Sequence, residues 1–414
     1  MKKNVLLMLL IAMITMTVAF AGGSSEKEAE GPKTLTVLGT WVASEGEAFE
    51  YVLQGFTEKT GIPVIYEGVN DPTAVLGTRI AGGDLPDAAV LGGGEGFLTY
   101  ADLGVLEPID FMKDIINENY DSGWIVPLTI DGSILSVPIR CNVQNCLFFN
   151  PETLPEGVDL ESWDGFIEYL DSQAAAGKSS LAGFYKLNWG SSIIFDSVLS
   201  TVATLEEYRQ FMTGHMAFDD PVVIAAAARM AELVEKYMPG GAEGALGTDM
   251  TEGFALVFGT QPVAQFINAG SWGSGIVTGG VNADIVPGES ITYVIMPGYN
   301  AIETNFDNIV MFVDSDECRQ LMEYLATAEA AERFAVYDYV VPNKNVDVEI
   351  YKDPLAKVSM EYLKNPVVVP TAVNPAEYMN AFYQTLQAIM ADPANVASLC
   401  KEFEEGYGEL RSII

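Results

Sequence analysis

Residues 33–68 carry the feature that most restricts how this chain can fold. "KTLTVLGTW" (33–41) is a short β-rich run ending in Gly39 and Trp41. From Glu45 to Thr60 the apolar residues Phe49, Val52, Leu53 and Phe56 recur at i, i+3, i+4 and i+7, which is one face of a helix. Gly61 then supplies a left-handed cap, and "IPVIYEG" (62–68) reads as a β-branched strand. Strand, helix and strand in such close succession demand a crossover between parallel strands, with the helix packed on the sheet. The class is therefore α/β.

The pattern continues less sharply. A helix is predicted around 72–81, followed by "LPDAAVLGGGEG" (85–96), a buried strand ending in glycines. "SILSVPIRCNVQNCLFFN" (133–150) is extended for 18 residues, longer than single strands usually run. Such a length suits a segment that crosses from one domain to another, and 414 residues allow about two domains. "ESWDGFIEYLDSQAAAGK" (161–178) is helical, with Ser162 as N-cap and Gly177 as C-cap. After a mostly helical middle, "GESITYVIMPG" (288–298) reads as a strand. A strand and a helix follow over 306–335, with Asp314 and Glu317 spaced as a capping box. The last third is helical, interrupted by Pro354, Pro366, Pro370 and Pro375.

Lys2 and Lys3 lead into an apolar run from Val5 to Phe20, and Ala19-Phe20-Ala21 has the small-x-small form of a signal-peptidase site. Residues 1–21 are expected to be a signal peptide cleaved after Ala21, the apolar run being too short for a membrane span. "GGSSEKEAEGP" (22–32) reads as a flexible tether. With no cysteine near the cleavage site to carry a lipid, the expected product is periplasmic. Losing Lys2 and Lys3 moves the formal net charge from −36 to −38, which argues against nucleic acid or an anionic membrane as partner. Cys141 and Cys146 lie roughly 16 Å apart along an extended chain, too far for a disulfide. The four cysteines are expected to be buried thiols.

Catalytic constellations are missing. His215 is the single histidine, and there is no HExxH, CxxC, G-x-S-x-G or EF-hand loop. "SQAAAGKSS" (172–180) ends like a phosphate loop, but Ser172 replaces its first glycine and a helix precedes it where a strand is required. Gly92-Gly93-Gly94 follows a strand but lacks the spaced third glycine of a dinucleotide fingerprint. No metal or cofactor is expected. A secreted glycoside hydrolase would need two carboxylates about 5 to 9.5 Å apart, and 57 acidic residues offer many pairs.

Trp272, in "AQFINAGSWGSG" (264–275), sits among glycines and serines that offer an indole little to pack on. A ligand is expected to cover it. That segment is also one of five that resemble, in order, the extracellular solute-binding proteins of ABC importers, the family of maltose- and other sugar-binding proteins. The others are "WVASEGEAFEYVLQGFTEKTGIPVIYEG", "IAGGDLPDAAVLGGGEGFLTYADLGVLEPID", "SILSVPIRCNVQNCLFFNPETL" with "ESWDGF", and "CRQLMEYLATAEAAERFAVYDYVVPNKNV". Phe149-Asn150 stands where the family has Tyr-Asn, and Gly165 replaces an acidic residue.

The resemblance implies a two-lobed clamshell, each lobe a mainly parallel sheet flanked by helices and the two joined by crossing hinge strands. Lobe one would comprise 33–140 and 306–342, and lobe two 145–300 and 347–414. The implied function is a periplasmic receptor that binds a carbohydrate between closing lobes and hands it to an inner-membrane ABC permease, as a monomer and without catalysis. A carboxylated solute held by Arg140 is the nearer alternative, and a secreted glycoside hydrolase the more distant one. Parallel sheets bind ligands at the carboxyl ends of their strands. The candidate ligand-binding residues are Trp41, Glu45, Gly93, Glu95, Arg140, Asn142, Trp189, Ser271, Trp272 and Tyr337.

Overall fold

The opening strand, Leu35–Gly39, lies between Val64–Gly68 and Ala88–Leu91 and is parallel to both, with Leu35 opposite Val64 and Val37 opposite Ala88. A computed structural model describes residues 33–69, 72–92 and 96–413 of the chain. The expected leader and tether, together with Gly93 and Glu95, lie outside the described residues. The first crossover helix runs Ala43–Thr60 and buries Phe49, Val52, Leu53 and Phe56, the expected face. It stops where Gly61 turns left-handed (φ 76°), its N–H donating to the Thr57 carbonyl. All four residues of Ala88–Leu91 are buried, as a strand covered on both faces requires. Asp87, just ahead of it, accepts from the Thr36 N–H and from Lys33, which pins the start of the opening strand.

The long extended run divides in two. Ser136–Val143 pairs antiparallel with Ile302–Met311 in the first sheet, whereas Cys146–Phe149 pairs with Phe266–Ala269 and Thr292–Ile295 in a second. Gln144 and Asn145 are the crossing point. Ile302–Met311 stays within the first sheet, pairing with Val368–Pro370 at its start and with Ala88–Leu91 at its end, but it passes between cores, since Ile302 packs with Cys146 and Phe148 and Phe306 with Val90. The fold is α/β with two main sheets, as expected, and a two-stranded hairpin of Thr129–Ile130 and Ser133–Ile134, but the second main sheet is mixed rather than mainly parallel. Its one parallel pairing joins Leu181–Ala182 to Phe266–Ala269, and the other two are antiparallel. Antiparallel neighbours arise there because Cys146–Phe149 enters directly from the first sheet, without the helix a parallel return needs.

The first core contains Phe49, Phe56, Val90, Phe306 and Phe334, and a second contains Phe166, Phe195, Val234 and Phe403. Tyr351, Ala356, Met360 and Val373 join the first core, whereas the resemblance implies that residues from 347 onward belong to lobe two. The cause is the helix Pro354–Leu363, which lies against the crossing strand and places Leu355 in one cluster and Met360 in another. Two caps also bear on the expected pattern. Ser162 caps its helix as expected, accepting from the Gly165 N–H. The helix Asp316–Leu325 is capped by Ser315 rather than by an Asp314–Glu317 box, because Asp314 is held in an ion pair with Arg319. Among the described residues no helix is long and apolar enough to cross a membrane.

All four cysteines are free and buried, with Cys141 and Cys146 on either side of the crossing. Burial pushes the Cys318 and Cys400 thiols up to about 12, and only the thiolate is a good nucleophile. Ellman's reagent should therefore find almost no fast-reacting thiol in the native protein. It should find four per chain after unfolding in denaturant.

Candidate functional site

Where the two sheets exchange strands, the chain leaves a cleft of about 510 Å³. Gly92 and Gly96 reach it from the first sheet, Gln144, Glu303 and Asn305 from the crossing strands, and Asn188 to Asp196 with Trp272 from the second side. The segment Thr371–Tyr383 closes it. A larger hollow of about 740 Å³, lined by Tyr169, Lys178, Phe258 and Gln265, touches only segments of the second side. The smaller cleft is the stronger candidate, because only there can one ligand touch both sides at once.

Two tryptophans dominate the cleft. Trp189 and Trp272 meet edge to face, their centroids 6.0 Å apart, and both are half-buried. The Trp272 ring is not as bare as its glycine-rich setting predicts. Phe184 and Phe254 each back it at 6.1 Å, so the chain covers part of the indole and leaves the rest to the cleft. Long-range packing supplied what its sequence neighbours could not. Gly270 makes this arrangement possible, since a Cβ there would run into Trp272 Nε1 and lie 2.9 Å from Gln144 Oε1.

The other expected residues separate into groups. The neighbours of Trp272 on the second side include Ser271, whose N–H donates to the Val143 carbonyl at 2.7 Å while its hydroxyl accepts from the Val143 N–H. Ser271 thus ties the Trp272 loop to the crossing strand. Asn142 donates to Asn305, which lines the cleft. Trp41, Glu45 and Arg140 form a separate cluster where the first crossover helix meets the first sheet. The Trp41 indole is buried in the core between Phe49 and Phe334 and donates to Asp307 Oδ2. Arg140 bonds Glu45 at 2.6 Å, lies 3.7 Å from Asp307 and stacks 4.6 Å over Tyr339. Burial alone would lower its pKa, but Asp307 and Glu45 outweigh burial and hold the guanidinium charged. Tyr337 is exposed and meets Tyr51 at a tilt, outside the cleft lining, whereas Tyr339 turns inward to Arg140.

Several lining residues gave no signal at the level of motifs: Gln144, Asn188, Ser192, Asn305, Asn374 and Asn380. Asp196 did carry one. It is the single charged residue of the apolar helix Gly190–Val202, and an acid on a buried helical face has to be explained. Glu303, inside the strand Ile302–Met311, is a second such case. Burial, then the Glu303 charge, pushes the Asp196 carboxyl well above the usual range. Burial lifts Glu303 to about 7, against a hydrogen bond from Thr371 that favours its charged form.

With that geometry in place, the chain can be set beside known proteins. A family model described as bacterial extracellular solute-binding protein matches residues 40–332. The osmoprotective compounds-binding protein of Synechocystis sp. is 27% identical over 372 residues, which is 87% of this chain and 88% of that one. The bacterial solute receptor AcbH, described as preferring β-D-galactopyranose exclusively, superposes with a TM-score of 0.73 at 19% identity, over 90% of this chain and 97% of that chain. A chitin oligosaccharide binding protein gives 0.71 at 19% identity, over 92% and 99%. The structural likenesses establish the two-lobed fold. The chain belongs to the bacterial extracellular solute-binding family and is an ABC-type solute-binding protein. Proteins of this class are binding proteins that deliver small-molecule solutes to ABC permeases.

The acid pair gives a pH signature. Both carboxyls hold protons more tightly folded than unfolded, so their contribution to stability is fullest below the ordinary carboxylate range. It is lost as pH rises through about 7, the value for Glu303. Glu303→Gln should narrow the drop in melting temperature between pH 5 and pH 8, by no more than about 3 kcal/mol of stability. Equal drops in the wild type and the variant would show that Glu303 is not held protonated.

Proposed function

We propose that the cleft binds a carbohydrate and that the two lobes close around it before delivery to the permease. The observation that carries this reading is the Trp189–Trp272 pair in a cleft whose lining also includes amides and hydroxyls such as Asn188, Ser192, Asn305 and Asn380. A sugar has apolar C–H faces that lie on aromatic rings and a rim of hydroxyls that amides can bond. The sugars named for AcbH and the chitin oligosaccharide binding protein support the class, while the Synechocystis relative points toward osmoprotective solutes. The chain is proposed to work as a monomer in the periplasm once its leader is removed after Ala21. The lobes are proposed to meet at Gln144–Asn145, within Ile302–Glu303 and ahead of Val368. Arg140 does not favour a carboxylated solute, because Glu45 and Asp307 already engage it.

A thermal-shift screen of neutral sugars and osmoprotective solutes tests the class, since a ligand at 100 times its dissociation constant adds about 2.7 kcal/mol. The ligand found should bind stoichiometrically and be recovered intact, whereas release of reducing ends would instead mark a hydrolase. Small-angle scattering should show a smaller radius of gyration at saturation, because only the closed form contacts the solute from both sides. Trp272→Ala should weaken binding by about 2 kcal/mol, roughly 30-fold. Its cost to the unliganded fold should be about 1–2 kcal/mol, below the 3–5 typical of a fully buried aromatic. A large loss of stability with affinity retained would make Trp272 a core residue only.

A further inference from the structure

Asp196 and Glu303 stand in the cleft wall with no counter-charge among the described residues that line it. Their exposures are 6% and 3%. Glu303 is fixed from three sides: its carbonyl accepts from the Gln144 N–H, its N–H donates to Asn145, and one carboxyl oxygen accepts from Thr371 at 2.7 Å. Its other oxygen and Asp196 Oδ1 have no hydrogen-bond partner, and neither does Gln144 Nε2, which lines the same cleft. The titratable groups around the pair are Tyr208, Tyr378 and Cys146, none of them cationic. Tyr208 reaches toward Glu303, but its hydroxyl makes no bond of good geometry. Arg411, beyond Tyr378, is engaged by both oxygens of Glu404. No lysine, arginine or histidine lines the cleft among the described residues.

Resting on the reading of this cleft as the solute site, we infer that Asp196 and Glu303 set its charge selectivity: it takes an uncharged, hydroxyl-rich solute and rejects the same solute bearing a carboxylate. Two close buried acids cannot both ionise cheaply, so around neutral pH the pair keeps a proton. One member then donates and the other accepts, which matches two hydroxyls, each able to do both. An anion entering the cleft would instead meet a residual negative charge with no cation to offset it. At about 4 Å and an effective dielectric of about 20, that repulsion corresponds to roughly a thousandfold in affinity. The orphaned oxygens and amide are the groups such a solute would satisfy, since buried polar atoms left unpaired are costly.

Matched probes test this directly: D-glucose with D-glucuronate, D-galactose with D-galacturonate, and maltose with maltobionate, with D-glucosamine as the cationic member. Calorimetry and thermal shift at pH 7 should show at least one neutral probe binding 100-fold or more tighter than its acid. The isosteric double variant Asp196→Asn with Glu303→Gln should narrow that gap to below tenfold. The wild-type comparison stands even if the double variant fails to fold. A uronate or aldonate that binds as well as its neutral partner overturns the inference and leaves the carbohydrate reading intact. So does an unchanged gap in a folded double variant, or glucosamine binding more than tenfold tighter than glucose. If no probe binds at all, the carbohydrate reading falls and takes this inference with it.

Discussion

The structure depends on how the backbone is satisfied where two sheets exchange strands. A strand leaving a sheet abandons its ladder, and buried N–H and C=O groups cannot go unpaired cheaply. Asn145 supplies the missing partners. Its amide donates to the Ala301 carbonyl and accepts from the Glu303 N–H, while the Gln144 N–H bonds the Glu303 carbonyl. The Thr371 N–H adds a bond of 2.6 Å to the Thr304 carbonyl, and Ser271 closes on Val143. The three passes are thus joined by strand pairing within the first sheet, and these polar contacts take over where Gln144 and Asn145 leave it.

The same junction determines what the cleft is lined with. Residues that satisfy the crossing backbone, or neighbour those that do, present their side chains at the seam between the two sides: Gln144, Glu303, Asn305 and Thr371. Aromatic surface arrives from the second side, where the packing of Phe184 and Phe254 stands Trp272 upright against Trp189. The net charge of −36 creates a field that disfavours anions approaching the molecule. Locally the two acid-rich sites behave oppositely. Around Arg140 one cation is shared by Glu45 and Asp307, so the charges are spent on one another. Around Asp196 and Glu303 no cation lines the cleft among the described residues, so protonation answers the burial.

Much of the fold was legible because it rests on local periodicity. The face of Phe49, Val52, Leu53 and Phe56, the stop at Gly61 and the overlong run through 133–150 each follow from spacing and backbone chemistry. Less of the site was legible. Trp189 and Trp272 were anticipated and lie in the cleft, yet Trp41 turned into the core and Tyr337 onto the outer surface. For Trp41 the loop position was read correctly, but side-chain direction depends on Phe334 and Asp307, which arrive from nearly 300 residues away. The Asp314–Glu317 box failed for a similar reason: Ser315, one position on, offered an equivalent cap, while Arg319 gave Asp314 a stronger partner.

The sequence by itself determined the α/β class, the parallel opening unit, the existence of a crossing strand and the family, because each is carried by the order and spacing of neighbouring residues. Tertiary structure alone decided which polar groups share the cleft. Asp196 on a helix, Glu303 on a returning strand and Gln144 at the crossing come together only when three separate passes of the chain meet. Burial of both acids, and the Glu303 charge acting on Asp196, then give them properties that neither has in its local sequence. Proton affinity and ligand selectivity depend on distance and dielectric, and both are set by packing between distant segments.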